Sequence, residues 1–193
     1  MLSLEESLKI LKETNALLEG HFILSSGLHS PQYVQCAKLM SKPEKAHKIC
    51  ASLSEKIINE FKDFDLVLSP AIGGIVIGYE IGRLLKKETI FSERVDGKFV
   101  LRRDFLIKKN QRVVIVEDVI TTGKSSLECS VLAEKLGAEI VGFASLIDRS
   151  NGKSKINKKI ISQVQIEIPT FTEDDIPEKI KRIKATKPGS RDL

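Results

Sequence analysis

The sequence predicts an α/β domain in which a mostly parallel sheet of five strands is flanked by helices. Three observations predict it. From residue 64 onward, short apolar runs alternate with segments of helical period, the pattern of strand–helix–strand units. One run, Val113-Val114-Ile115-Val116, is apolar without interruption, as a parallel strand covered on both faces requires. The 193 residues, 41% hydrophobic and 30% charged, are one domain's length and can bury a core without disulfides or a structural metal.

Taken in order, the elements read as follows. Leu4, Leu8, Leu11 and Leu18 recur near the helical period and predict an amphipathic helix stopped by Gly20. Next comes a strand–turn–strand element, with a strand around Ile23, a turn at Ser26-Gly27 and a second strand from Tyr33 to Cys36. Ser41-Lys42-Pro43-Glu44 reads as a capping box opening a helix to about Phe61, with Ala46, Ile49, Cys50, Leu53, Ile57 and Phe61 on its apolar face. The sheet strands are Leu66–Leu68, Thr89–Ser92, Val113–Val116, Ile140–Ile147 and Val164–Ile168. Helices to about Lys87 and from about Ser125 to Leu136 lie between them, and Asp96-Gly97 marks a hairpin. The whole chain, 1–193, reads as one domain: a core sheet at 63–168 and a small hood or cap built from 1–62 and the C-terminal segment.

Composition narrows the function. No apolar run reaches the roughly 18 residues of a membrane span, so no membrane partner is expected. The N-terminus lacks the basic and apolar regions of a secretory signal. Cys36, Cys50 and Cys129 are odd in number and widely spaced, which reads as buried free thiols in a cytoplasmic protein. Net charge is +5, and it is local: residues 93–112 carry +4, residues 153–193 carry +4, and the rest carries −3. A small phosphorylated substrate explains the mid-chain excess better than a nucleic acid, because aromatic residues total only 5% and no helix-turn-helix is evident.

Ligands of open α/β sheets bind beyond the carboxyl ends of the strands, so the residues after each apolar run carry the chemistry. Glu117-Asp118 follow one run directly, and Thr121-Thr122-Gly123-Lys124-Ser125-Ser126 then opens a helix. Small and hydroxyl residues at a helix N-terminus suit a phosphate monoester. The two carboxylates suit sugar hydroxyls, a metal or a developing positive charge. Gly123-Lys124-Ser125 ends like a Walker A loop, but that motif needs glycine where this chain has Asp118. Two further places read as anion sites. One is Ala71-Ile72-Gly73-Gly74, where backbone amides could hold a second anionic group. The other is the basic hairpin with Arg94, Lys98, Arg102 and Arg103, which could fold over a diphosphate.

These residues resemble a family. Val113 to Ser126 is similar to the phosphoribosyl pyrophosphate motif of type I phosphoribosyltransferases. Phe22 to Tyr33 resembles the F-x-L-x-S-G-x-x-S-x-x-Y segment of the orotate branch, and Ile147-Asp148-Arg149 its D-R pair. The resemblance covers nearly the whole chain, including the ending Lys187-Pro188-Gly189-Ser190-Arg191. It implies transfer of phosphoribosyl from 5-phospho-α-D-ribose 1-diphosphate to orotate, giving orotidine 5′-monophosphate on the way to UMP. It implies that Glu117 and Asp118 hold the ribose hydroxyls and favour the cationic sugar. Val119, Ile120, Thr121, Thr122, Gly123, Lys124 and Ser125 would bind the 5′-phosphate. Thr121 and Arg149 would contact orotate, with Ser25, Ser26 and Gly27 closing over the base. Ala71, Ile72 and Gly73 would form the diphosphate loop. The cofactor implied is Mg²⁺, carried on the diphosphate oxygens without dedicated protein ligands. A homodimer with shared active sites is implied as well.

The chain departs from the family's pattern in two places. Gly73 and Ser25 stand where many members have lysines. No histidine follows His47, so the flexible loop's lysine and histidine roles are absent or pass to Arg94, Lys98, Arg102 and Arg103. His21, His29 and His47 read as structural or surface residues. The alternatives are a purine or other nucleobase transferase and a nucleotide-sensing regulator on the same fold.

Overall fold

A computed structural model describes residues 1–24 and 26–188. Ser25, expected to face the base, and Gly189, Ser190 and Arg191 of the ending lie outside the described residues.

The first helix, α1 (Leu4–Glu13), is capped by Ser3 and Glu6 in a reciprocal box, with N–H···O distances of 3.1 and 2.7 Å. It ends well before Gly20. The Thr14 hydroxyl donates to Ile10 O at 2.8 Å, and Asn15 turns left-handed at φ 55°, a conformation asparagine tolerates. Leu18 and Gly20 therefore lie not at a helix end but in β1 (Leu17–Ile23), which pairs antiparallel with β2 (His29–Val34). Then come α2 (Cys36–Met40) and α3 (Pro43–Glu60). The capping box expected at Ser41 is not formed. Its hydroxyl donates to Lys38 O at 2.8 Å and closes α2, while α3 starts on Pro43, whose ring presets φ for a first helical turn.

The remaining elements are β3 (Leu66–Pro70), α4 (Gly73–Leu85), β4 (Glu88–Val95), β5 (Lys98–Val100), β6 (Arg112–Ile120), α5 (Lys124–Lys135), β7 (Glu139–Asp148), β8 (Ile160–Gln165) and the short α6 (Glu178–Lys181). The sheet order is β5-β4-β3-β6-β7-β8. Five strands run parallel as expected, and β5 adds a sixth, antiparallel to β4. Their turn is Asp96-Gly97 at φ 48° and 78°, both positive as a two-residue hairpin of that twist requires. The last strand starts at Ile160 rather than Val164. Polar Ser162 and Gln163 hid it in the sequence, yet the Gln163 side chain is buried and donates to Ser7 Oγ at 2.8 Å.

Side chains alternate across the sheet with period two. Val67, Val114, Val116 and Ala144 pack under α1, α3 and α4. Leu66, Leu68, Val113, Ile115 and Phe143 pack under Cys129 and Ala133 of α5. Helix α3 lies on the sheet layers, with Ile49, Leu53 and Ile57 fully buried against α4, β7 and β8. Within 1–62, then, α3 packs on the sheet, while the strands β1 and β2 meet the tail. Phe22 bridges to Thr186 and His29 to Phe171. The His21 ring donates through Nδ1 to Ile183 O at 3.0 Å, so its Nε2 accepts from His29 Nδ1 at 2.7 Å.

Candidate active site

The strand that carries Glu117 and Asp118 does not stop at Val116. It continues in register with β7 to Ile120, with Glu117 opposite Ser145 and Ile120 opposite Asp148. Alternation therefore sends the adjacent carboxylates to opposite faces of the strand end.

Glu117 turns toward α5, where Ser126 Oγ donates to its Oε2. Burial beneath the helix pushes the Glu117 carboxyl up to about 7. The Ser126 bond pulls it down, and the neighbouring Asp118 charge pushes it up. Asp118 turns toward the N-terminus of α4. Its Oδ1 accepts from the Val119 N–H at 2.9 Å. Burial raises its pKa, and the backbone N–H groups work against that.

Gly73 fits because it has no side chain. A Cβ there would sit 2.6 Å from Asp118 Oδ2 and 2.9 Å from Oδ1. Gly73→Ala is accordingly expected to push the Asp118 carboxylate aside and lower kcat/KM by about tenfold, since small misplacements of catalytic groups are costly. Steady-state kinetics beside a thermal unfolding curve check this. An unchanged rate would show that the contact is not needed.

Two helix N-termini face the strand ends. No N-cap side chain bonds to either helix, and at α5 the Thr122 hydroxyl accepts from Lys124 N–H at 3.4 Å, so the first N–H groups of α4 and those just after Lys124 in α5 are open to an anion. Before α4, Ala71 N–H donates to Ser92 O at 2.8 Å, the Ala71–Ile72 peptide is cis, and Ile72 is 85% exposed. Before α5, Thr121, Thr122 and Lys124 are exposed, and Gly123 turns at φ 76° with a would-be Cβ 2.9 Å from Ile156. The loop is tied down from behind by Arg149 N–H to Ile120 O at 2.8 Å and Lys155 N–H to Thr122 O at 3.2 Å. Ile120 itself is buried in the core, so only its backbone is available to a ligand.

Arg149 follows β7 and is half-buried, and its Nε has no hydrogen-bond partner among the described residues. Tyr33 of β2 is the titratable group that faces it, so hood and sheet meet at this guanidinium. Ser26 and Gly27 are exposed, Gly27 at φ 82° in the turn between the hood strands.

Two of the hairpin arginines are engaged elsewhere. Arg94 pairs with Glu128 of α5 at 2.5 Å and covers the Phe99 ring at 4.2 Å. Arg103 pairs with Glu93 at 2.9 Å. Lys98 and Arg102 are exposed. A role for the hairpin over substrate would require Arg94 and Arg103 to leave these exposed ion pairs, each worth under about 1 kcal/mol. Two contacts of the site were not expected from the sequence: Ser126 with Glu117, and Tyr33 with Arg149. Period-two alternation through Val116 could have pointed Glu117 at the first turn of the following helix, and so at Ser126. Nothing local could have paired Tyr33 with Arg149.

A parallel sheet with an acidic pair at one strand end and an open, small-residue loop at the next helix defines a class. Residues 40–175 match the family described as "Phosphoribosyl transferase domain". The chain is 47% identical over 190 residues to orotate phosphoribosyltransferase of Parvibaculum lavamentivorans, covering 98% of each chain. It is 46% identical over 188 residues to that of Erythrobacter litoralis, covering 97% of each. The crystal structure of orotate phosphoribosyltransferase from Aeropyrum pernix shares the fold, with a TM-score of 0.70 at 23% identity over 82% of this chain and 92% of that one. The chain belongs to the orotate phosphoribosyltransferase family.

Proposed function

We propose that the chain transfers phosphoribosyl from 5-phospho-α-D-ribose 1-diphosphate to orotate, releasing diphosphate and orotidine 5′-monophosphate for UMP synthesis. The observation that carries the choice of base is Arg149. A half-buried guanidinium with its Nε unpaired, beside the acidic strand end, suits a carboxylate on the incoming base. Adenine, guanine and hypoxanthine bring no anion to it.

In this reading the 5′-phosphate lies on the loop Thr121–Ser125, against the open N–H groups of α5. The diphosphate lies along Ala71–Gly73 and the N-terminus of α4. Thr121 contacts orotate, and Ser25, Ser26 and Gly27 close over it. As the bond from C1′ to the diphosphate oxygen breaks, the sugar gains oxocarbenium character, and the orotate ring nitrogen bonds to C1′ as its proton is released to solvent. Glu117 and Asp118, one from each side of the strand end, place negative charge next to that cation, and no protein nucleophile is required. Because the two carboxylates diverge, they do not converge on one ion. Mg²⁺ is expected on the diphosphate oxygens, where it would neutralise leaving-group charge.

The exposed Ile72, Val76 and Tyr79 form an apolar strip along α4, which supports a homodimer through that face. No helix of the described residues is long and apolar enough to cross a membrane, and a cytoplasmic location is part of the same proposal.

The test is incubation with the diphosphate sugar, Mg²⁺ and single bases. Orotate is expected to be consumed with release of diphosphate, and adenine, guanine, hypoxanthine and xanthine are not. Turnover of a purine but not orotate would overturn the proposed base.

A further inference from the structure

Serine and threonine inside helices usually turn their hydroxyls back onto the preceding turn. Ser7, Thr14 and Ser130 do so here, donating to Ser3 O at 2.8 Å, Ile10 O at 2.8 Å and Leu127 O at 2.9 Å. Ser126 does not. It is fully buried in the first turn of α5, and its hydroxyl crosses to the Glu117 carboxylate on β6. The two carboxylates of the site are thus anchored differently. Asp118 is held by the backbone N–H of its own neighbour, a contact local to its own strand end. Glu117 has one more methylene and one more torsion, and its anchor is a side chain from another element.

We propose that Ser126 is a positioning residue: it fixes the Glu117 carboxylate, as the anion, at the carboxyl end of β6, where the sugar must sit. The inference rests on the proposed transferase reading, and it adds that the Glu117 contribution depends on one hydroxyl of α5.

The surroundings support it. The titratable groups next to Glu117 are Asp118 on the same strand and the Cys129 thiol of α5, which burial pushes up to about 12 and so keeps neutral. Ser145 of β7, opposite Glu117 in the sheet, brings only a hydroxyl, and Ser92 of β4 is already bonded to Cys129 at 3.3 Å. No cation is among these neighbours. Ser126 therefore offsets part of what burial and Asp118 do to this carboxyl, and without it the neutral acid is favoured further.

Three variants test this: Ser126→Ala, Glu117→Gln, and the two combined. Each is followed by kcat and KM across pH and by thermal unfolding. Ser126→Ala is expected to lower kcat about tenfold near pH 7, the scale of one hydrogen bond to a charged group. KM is expected to change little. The rate falls as pH drops through the Glu117 pKa, and the substitution moves that acid limb to higher pH, so the lost rate returns on the alkaline side. In the Glu117→Gln background, Ser126→Ala is expected to change kcat less than twofold, because its only route of action is gone. An unmoved acid limb, or an equal loss in both backgrounds, overturns the positioning role. If Glu117→Gln alone leaves kcat unchanged, the site reading beneath it fails as well.

Discussion

Asp118→Asn is expected to lower kcat by about a hundred- to a thousandfold, the range seen when one preorganised charge partner of a transition state is removed. The substitution is nearly isosteric. Asparagine keeps the oxygen that accepts from Val119 N–H at 2.9 Å, so the strand end survives. What disappears is the negative charge on the α4 side of the strand, which the proposed function sets against the C1′ cation. Stability should move the other way. Burial raises the Asp118 pKa in the folded chain, so the folded state prefers the protonated acid. The stability linked to this group is greatest below the unfolded carboxyl pKa and declines as pH rises from there through the raised folded value. At neutral pH the carboxylate is therefore a cost to the fold, and Asp118→Asn should leave Tm equal or slightly higher. Kinetics and a melting curve on the same sample check both halves. A variant that melts early and loses activity in proportion would mark Asp118 as structural instead.

Arg149→Ala is expected to raise KM for orotate by about a hundredfold, with a smaller loss in kcat and little change in KM for the sugar diphosphate. A charge-assisted contact in a half-buried setting is worth about 2 to 3 kcal/mol, and a planar guanidinium can grip both oxygens of a carboxylate. Arg149→Lys should recover only part, because a point charge lacks the fork. The guanidinium Nε has no hydrogen-bond partner among the described residues, so removing it breaks no bond of that nitrogen there and Tm should hold. Separate substrate titrations decide the matter. If the sugar diphosphate KM rises instead, Arg149 belongs to the phosphate side of the site.

Much of this site was legible in the order of residues. An unbroken apolar run, two acids and a hydroxyl-rich loop with glycine can sit at only one kind of place in a parallel sheet, and β6 and the start of α5 put them there. The hairpin was legible because Asp96-Gly97 needs positive φ at both positions. The misreadings have physical causes. Leu18 continues a helical spacing, but Asn15 ends the helix by a backbone turn that periodicity does not encode. Ser41 and Glu44 stand at capping-box spacing, yet the serine was needed one helix earlier. Gln163 is polar and buried, so hydropathy alone could not place the start of β8. Ser126 and Glu117 are nine residues apart across a strand, a loop and a helix, and their contact follows only from knowing which face each element presents.

The hood has a consequence for how the protein comes to be made. Its two strands lie near the start of the chain, but the groups that bridge to them, Phe171, Ile183 and Thr186, arrive some 140 to 160 residues later. During synthesis the β1–β2 ribbon must wait, edges unpaired, while the whole sheet is made behind it. An isolated two-stranded ribbon is marginal in water. Contacts of such long sequence separation also form late. The sheet and its helices can therefore condense first, and the hood strands are completed only when the segment up to Thr186 has emerged. Pulse-labelled hydrogen exchange should find protection at Val114 and Ile115 before it appears at Ile23 and His29.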